Sequence, residues 1–525
     1  MPDSCDAIVI GSGFGGAVSA CRLAERGLKV VVLERGRRWR PAEFPRQSGD
    51  AWIYDPNSPQ QHNGWMDVRI FRRMAVVQGA GVGGGSLVYA NVSIPANPHC
   101  MDAGWPSAIS YDELLPHYER VGNMLGISEL PEKQLTPRHR LLREAAQAVG
   151  DGGRMIKLPL AVNFDPDWSY DLPDAFDVRR SKRFVNAHGK PQGTCVHCGN
   201  CIVGCPVGAR NTLDLNYLAA AEAKGADIRP LHMVTGIAPE NGRYRVHFNR
   251  IAKDATVPES LVAERVIVAA GSLNSTELLL RCRDVHATLP DLSRRLGHGW
   301  SANGCIVTPS LYSGRSPTPI RGPIISAAVD YLDGADDGHR YFIEDGGFPE
   351  AGLTALRALA SRNAFARHAL RVAEKVIGTV PALTRPNRIM PWLGQGVDES
   401  NGVISIKRNG RRPDGGRLKL HWDARSSAGV VNATIARHRR YSKATAAAGI
   451  IPSTWRLFRY LITPHPLGGC NMGESRDTGV VDHGGEVFGY PRLHVLDGSI
   501  IPHALGQNPS RTIAAIAERN IARMS

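Results

Sequence analysis

The first forty residues restrict the fold more than any other stretch. Ala7-Ile-Val-Ile10 is a short apolar run, three of its four residues β-branched, that leads at once into Gly11-Ser-Gly13-Phe14-Gly15-Gly16. A buried strand ending in G-x-G-x-x-G, followed by a helix over Ala17–Arg26, is the turn that receives a dinucleotide. Gly11 permits the tight turn, Gly13 lets the backbone approach a pyrophosphate, and Gly16 allows the helix to pack closely on the strand. The helix N-terminus then faces the phosphate charge. Gly11, Gly13, Phe14 and Gly16 are therefore candidate cofactor contacts. A second strand, Leu28–Leu33, ends at Glu34, an acid about 20 residues beyond the glycines that can accept from ribose hydroxyls. A carboxylate there disfavours a 2′-phosphate, which leaves FAD or NAD rather than NADP.

A chain of 525 residues exceeds one simple core, so two connected domains are expected. No apolar run approaches the roughly 20 residues of a membrane span. The N-terminus lacks a basic segment followed by a long apolar one, so the expectation is no signal peptide and a cytoplasmic protein. The formal charge of +14 admits nucleic acid, anionic lipid or an acidic protein as partner. The basic residues are scattered arginine clusters without a nucleic-acid motif, which makes nucleic acid the poorest fit. Leu353–Ile377 mixes Arg357, Arg362, Arg367, His368, Arg371 and Lys375 with Ala, Leu, Phe and Val. It reads as a solvated helix, or as a peripheral contact with anionic lipid.

Three further segments choose between FAD and NAD. Gln78-Gly-Ala-Gly81-Val-Gly83-Gly84-Gly85-Ser86-Leu-Val-Tyr89-Ala-Asn91 is a second glycine-rich loop whose backbone N–H groups can approach a ring or phosphate. Arg265-Val-Ile-Val-Ala-Ala270-Gly271 is another buried strand running into a turn and a helix, Thr276–Arg281. The C-terminal part carries Thr463-Pro-His465-Pro466-Leu-Gly468-Gly469-Cys470, then Asp497-Gly498-Ser499-Ile-Ile-Pro502, then Asn508-Pro509-Ser510-Arg-Thr512 leading a last helix.

Together these motifs resemble the glucose–methanol–choline (GMC) oxidoreductases, most of all the cholesterol oxidase branch. The resemblance covers both ends and much of the middle, with five motifs in the same order. It implies an α/β fold: a discontinuous FAD-binding Rossmann-like domain and a sheet-and-helix substrate domain. It also implies FAD extended across the N-terminal unit, the Gly83, Gly84 and Ser86 loop, and the C-terminal segment. By the same likeness His465 is the active-site histidine and Asn508 the asparagine beside the flavin ring. Asp497 and Gly498 contact the flavin diphosphate and ring, Pro509 and Thr512 belong to the helix aimed at the isoalloxazine, and Val234 meets the adenine end. Ala270 and Gly271 complete the expected cofactor set. Cholesterol oxidases follow G-G-G-S-L-V with Asn-Gly-Gly, whereas this chain has Tyr89-Ala-Asn91, so contacts of Asn91 with the flavin can differ. Oxidising an alcohol requires removing its O–H proton while its carbon delivers hydride, and a histidine near its ordinary pKa of about 6.5 can take or orient that proton. Tyr341-Phe-Ile-Glu344-Asp345-Gly-Gly resembles the glutamate-bearing loop that serves steroid isomerisation, which gives Glu344 a catalytic or substrate-facing role; an acidic pair before two glycines is also an ordinary turn.

Four of the ten cysteines, Cys195, Cys198, Cys201 and Cys205, fall within eleven residues as C-x2-C-x2-C-x3-C followed by Pro206. This is an iron–sulfur spacing. FAD-dependent glucose dehydrogenases of the GMC family show a similar stretch, with three cysteines on a [3Fe-4S] cluster. Cys195, Cys201 and Cys205 fit that pattern, and Cys198 is a bystander or the fourth ligand of a [4Fe-4S] cluster. A four-cysteine zinc site and free redox thiols are the alternatives.

The expected division is an FAD domain from 1–100, 206–300 and 462–525, a connecting segment 101–205 bearing the cysteines, and a substrate domain 301–461. Gly402–Lys407 and Arg417–Trp422 read as strands of that last domain. The leading functional expectation is an FAD-dependent dehydrogenase of a bulky, sterol-like alcohol. Electrons would leave through the cluster to an electron-acceptor protein or quinone. The alternatives are an oxidase that uses O2 and makes H2O2, and a non-catalytic flavoprotein.

Overall fold

A computed structural model describes residues 4–47, 49–102, 104–350, 386–408 and 415–524. The expected lipid-facing stretch Leu353–Ile377 lies outside the described residues. Among the described residues, no helix is long and apolar enough to cross a membrane.

The N-terminal strand Ser4–Ile10 sits inside a seven-stranded sheet. It pairs in parallel with Val30–Leu33 on one side, with Ile8 opposite Val31, and with the end of Thr256–Val268 on the other, with Ile8 opposite Val266. Both faces are covered, so these strands are continuous apolar runs rather than alternating ones. Ala7, Ile8 and Val9 are fully buried. Leu493–Val495 extends the sheet in parallel along Val266–Val268. The free half of Thr256–Val268 turns into an antiparallel meander with Arg243–Ile251 and His232–Glu240. Three distant parts of the chain thus share one sheet, as a discontinuous Rossmann-like domain requires.

The helix Phe14–Glu25 begins at the glycine turn and buries most of its residues against Ser510–Arg523 and Tyr217–Ala223. Burial in Ser510–Arg523 extends beyond the apolar face to Glu518, Arg519 and Asn520. These charges are paired: Arg22 holds Glu518 at 2.8 Å and Arg519 holds Glu113 at 2.8 Å.

A second, six-stranded sheet is built from Gly449–Ile450, Ile306–Leu311, Ile389–Gly396, Tyr341–Glu344, Ala327–Asp330 and Met155–Lys157, in that order. The helix Ala428–Ala444 packs on it. The strands read from alternation exist, as Val403–Arg408 and Gly416–His421, but they pair only with each other. They lie against the helix Ser272–Asp284, and Ile404 N–H donates to Gly297 O at 2.7 Å in the loop that follows it. The strand Met155–Lys157, from the connecting segment, takes the edge position instead.

Candidate functional site

One cavity of about 2470 Å³ runs between the two sheets. An ordinary small-ligand pocket measures about 300–1,000 Å³, so this space takes a dinucleotide and a second molecule.

One end is built by the glycine turn. Gly11 adopts φ +96°, and a Cβ there would strike Ala269 O at 2.5 Å. The two glycine-rich loops touch: a Cβ on Gly84, at φ +51°, would lie 2.6 Å from Gly13 Cα. Ser12 joins them, its hydroxyl donating to Glu34 Oε2 at 2.6 Å and accepting from Gly83 N–H at 3.1 Å. Glu34 is further held by Gly36 N–H at 2.9 Å, so its carboxylate stays at the strand end. Gly11, Gly13, Phe14, Glu34, Gly84, Val234, Ala270 and Gly271 all line the cavity. The helix Phe14–Glu25 has no side-chain cap, which leaves its first N–H groups open at the turn.

Asp497 and Gly498 line the middle of the cavity. Asp497 accepts from Gly271 N–H at 2.8 Å, from the Ser275 hydroxyl, and from Ser499 N–H at 2.7 Å. It therefore ties the third glycine turn to the C-terminal segment and caps the short helix Gly498–Ile500. Burial pushes its pKa upward.

The far end is lined by His465, Asn508, Pro509 and Cys305, with Val307, Ile324, Ile325 and Leu393 as apolar wall. His465 Nδ1 lies 3.2 Å from Cys305 Sγ, and its backbone N–H donates to the Thr463 hydroxyl at 3.0 Å. Burial lowers the His465 pKa to about 4. The expectation of a histidine near 6.5 is thus corrected: the ring is neutral at every physiological pH, because the apolar site disfavours the imidazolium. Asn508 Oδ1 is buried with no partner. An orphaned buried acceptor is costly, so it marks where a bound group belongs.

Several expected contacts do not reach the cavity. Glu344 is fully buried and lies behind Asn508, which hydrogen-bonds to it, as does Gln395 through Nε2 at 2.9 Å. Burial raises its pKa to about 8, so it is a neutral acid at pH 7. Ser86 turns inward, donating to Gly83 O at 2.7 Å and accepting from Leu213 N–H at 3.1 Å. Gly83 spends its N–H on Ser12. Gly16 packs beneath the turn, where a Cβ would meet Gly11 O at 2.1 Å. Thr512 shares a 3.0 Å bond with Tyr118. Asn91 accepts from Arg210 at 2.7 Å and sits beside Cys201, away from the cavity. Ser12, Ser275, Cys305 and Gln395 also build the site, and none carries a signature of its own in the sequence, since each is a single polar or thiol side chain inside or between motifs.

Cys195, Cys198, Cys201 and Cys205 line one small void under the Gly322–Pro323 turn. All ten cysteines are free. Among the described residues, no group of three or more His, Cys, Asp or Glu side chains is placed to hold a metal ion. Burial raises the pKa of Cys195, Cys198 and Cys201. The expected metal site is therefore not supported as a preformed cage.

The cavity fits FAD: an open helix N-terminus, an acid held at a strand end, and more room than a dinucleotide fills. Comparison with known proteins points the same way. Family models described as GMC oxidoreductase match residues 185–284 and 425–517, and a NAD(P)-binding Rossmann-like model matches residues 9–40. A cholesterol oxidase of Acinetobacter baumannii is 30% identical over 98% of this chain and 93% of its own length. A cholesterol oxidase of Mycobacterium tuberculosis is 31% identical over 99% and 91%. Among solved structures, pyridoxine 4-oxidase from Mesorbium loti superposes with a TM-score of 0.64 at 18% identity, covering 99% of both chains. Whole-length identity at this level, on the fold and cavity just described, makes the chain a member of the GMC oxidoreductase family and an FAD-dependent alcohol oxidoreductase.

Proposed function

We propose that the enzyme oxidises the hydroxyl of a bulky, sterol-like alcohol to a carbonyl and passes the electrons to O2, forming H2O2. The observation that carries the reading is the far end of the cavity, where neutral His465 and the unpartnered Asn508 Oδ1 line the same space as Val307, Ile324, Ile325 and Leu393. A chamber lined by Val307, Ile324, Ile325 and Leu393 suits a substrate with a large apolar body and one polar head. The likeness to two cholesterol oxidases supports both the substrate class and the acceptor.

A bound FAD would supply the hydride acceptor for the alcohol carbon. In this proposal Gly11, Gly13, Phe14, Glu34, Gly84 and Val234 hold its adenosine and diphosphate, and Ala270, Gly271, Asp497, Gly498 and Pro509 its remaining length. His465 takes the alcohol proton, which its neutral ring can accept. Asn508 holds the substrate oxygen. Glu344, behind it, keeps the asparagine oriented as a neutral partner rather than touching substrate. The test is oxygen uptake and peroxide release with sterols and with short alcohols. Sterol-dependent, stoichiometric peroxide is expected. Turnover of short polar alcohols alone would overturn the substrate class.

A second reading of the electron exit has one observation in its favour. The four thiols surround a single void, and Cys195 and Cys205 each accept a backbone N–H, from His197 at 3.4 Å and Ala209 at 3.3 Å. Such donors stabilise cluster thiolates. An iron–sulfur cluster there would send electrons to a protein or quinone acceptor in place of O2. Iron and acid-labile sulfide analysis of anaerobically purified enzyme separates the two: about 3–4 iron per chain supports the cluster, and iron-free, active enzyme removes it.

A further inference from the structure

Two arms of the far chamber, one bearing His465 and the other Asn508, meet on a single short turn. Asn303 adopts φ 53° and Gly304 φ 55°, so the turn 301–305 doubles back on itself. Buried Asp398 fixes it by accepting from the Ser301 hydroxyl at 2.8 Å and from Ala302 N–H at 2.9 Å. From this turn Asn303 reaches the Asn508 arm. Its Nδ2 donates to Gln507 O at 2.8 Å and to Gln395 Oε1 at 3.1 Å, and its Oδ1 accepts from Leu505 and Gly506 N–H at 3.0 and 2.7 Å. Two residues on, Cys305 reaches the other arm, with Sγ 3.2 Å from His465 Nδ1.

Either atom of that last contact can be the donor, and the thiol has a second acceptor to which its proton can go. The Cys305 thiol has the Asn303 carbonyl at 3.7 Å to receive its proton. Thr463 Oγ1 lies 3.6 Å from the Cys305 sulfur but has the nearer Ala302 O, at 2.7 Å, for its hydroxyl proton, and it accepts His465 N–H. With the thiol proton directed at Asn303, the sulfur lone pair faces Nδ1, which then carries the ring proton. Neutral imidazole has one proton, so Nε2 is left as the acceptor. Nδ1 has the Cys305 sulfur as its neighbour, and the titratable groups that act on that sulfur are Glu344 and Asp398.

We propose that Cys305 is the positioning residue of His465, fixing the Nδ1-protonated tautomer so that Nε2 takes the alcohol proton. The inference rests on the reading of His465 as proton acceptor. In the step, the alcohol O–H proton goes to Nε2, the hydride leaves its carbon for FAD, and the carbonyl forms. The resulting imidazolium keeps Nδ1–H on the Cys305 sulfur. The sulfur is never alkylated or oxidised.

The direct test is 15N spectroscopy of the histidine-labelled holoenzyme, with His465→Asn used only to assign the signal. A protonated Nδ1 and an unprotonated Nε2 are expected. An Nε2-protonated ring overturns the proposal, whether or not sterols prove to be the substrate. Kinetics give the second arm. Cys305→Val keeps the volume without an acceptor and lowers kcat about ten- to a hundredfold with KM little changed. Cys305→Ser restores most of the rate, since a hydroxyl accepts the same bond. Equal losses in Val and Ser variants that retain full FAD content and wild-type melting would overturn it. So would an undiminished kcat in Cys305→Val.

Discussion

The low pKa of His465 makes a prediction that an ordinary active-site histidine would not. The perturbation is pH. Burial in an apolar chamber lowers the ring from 6.5 to about 4, a bias toward the neutral form on the order of 3 kcal/mol. The imidazole is therefore ready to accept a proton far into the acid range. At pH 5.5 about 97% of a histidine with this pKa is neutral, against about 9% of one at 6.5. The assay is kcat/KM for the preferred alcohol from pH 4.5 to 9, followed by oxygen uptake in constant-ionic-strength buffer. A plateau reaching down to about pH 5 is expected, with any acid limb centred near 4. An acid limb centred between 6 and 7, absent from His465→Gln, would refute the reasoning. It would mean that the chamber is wetter than its wall residues imply, or that a charge stabilises the imidazolium. The same burial has a stability sign. A histidine with a depressed folded-state pKa costs nothing above its unfolded value and destabilises the fold as pH falls from 6.5 toward 4.

Other outcomes follow from single features. Glu344, raised from 4.5 to about 8, leaves the fold unaffected below 4.5 and costs stability as pH climbs toward 8; Glu344→Gln should flatten the melting temperature between pH 5 and 9, and an unchanged pH slope would contradict its burial as a neutral acid. Glu34→Ala removes the group that Ser12 and Gly36 hold, so FAD retention after gel filtration should fall at least tenfold while the far chamber is untouched. Gly15→Ala places a Cβ 1.5 Å from Leu496 O, between the first helix and the C-terminal segment; insoluble or FAD-free protein is expected, and a soluble yellow variant would show that this contact relaxes. Asn508→Ala deletes the unpartnered acceptor, and kcat should drop about a hundredfold with FAD still bound.

The fold was legible because its strongest elements announce themselves locally. Ala7–Ile10 can only be a buried strand, the glycines can only be a turn, and Glu34 closes the unit. The motif order then placed the C-terminal segment in the same sheet, where Leu493–Val495 indeed pairs with Val266–Val268. What the sequence could not convey is which way each motif residue faces. Ser86 and Gly83 belong to the glycine-rich loop yet use their polar groups on Leu213 and Ser12, because a loop that touches Gly13 must also be held from behind. Asn91 was assigned to the flavin and stands instead between Arg210 and Cys201. Val403–Arg408 alternates like a sheet strand, but alternation does not name the partner, and it forms a hairpin on a helix. The depressed His465 pKa is equally invisible in the local sequence, because desolvation comes from residues far away in the chain, such as Cys305.

In the proposed reaction His465 and Asn508 stand where an alcohol meets FAD. Anaerobic mixing of the oxidised holoenzyme with a sterol tests it most directly, with flavin absorbance near 450 nm as the readout. The account predicts stoichiometric bleaching by one equivalent of alcohol, slowed at least a hundredfold in His465→Ala that retains its FAD. Bleaching at the wild-type rate in that variant would contradict the account, and so would a flavin that neither sterols nor any other bulky alcohol can reduce.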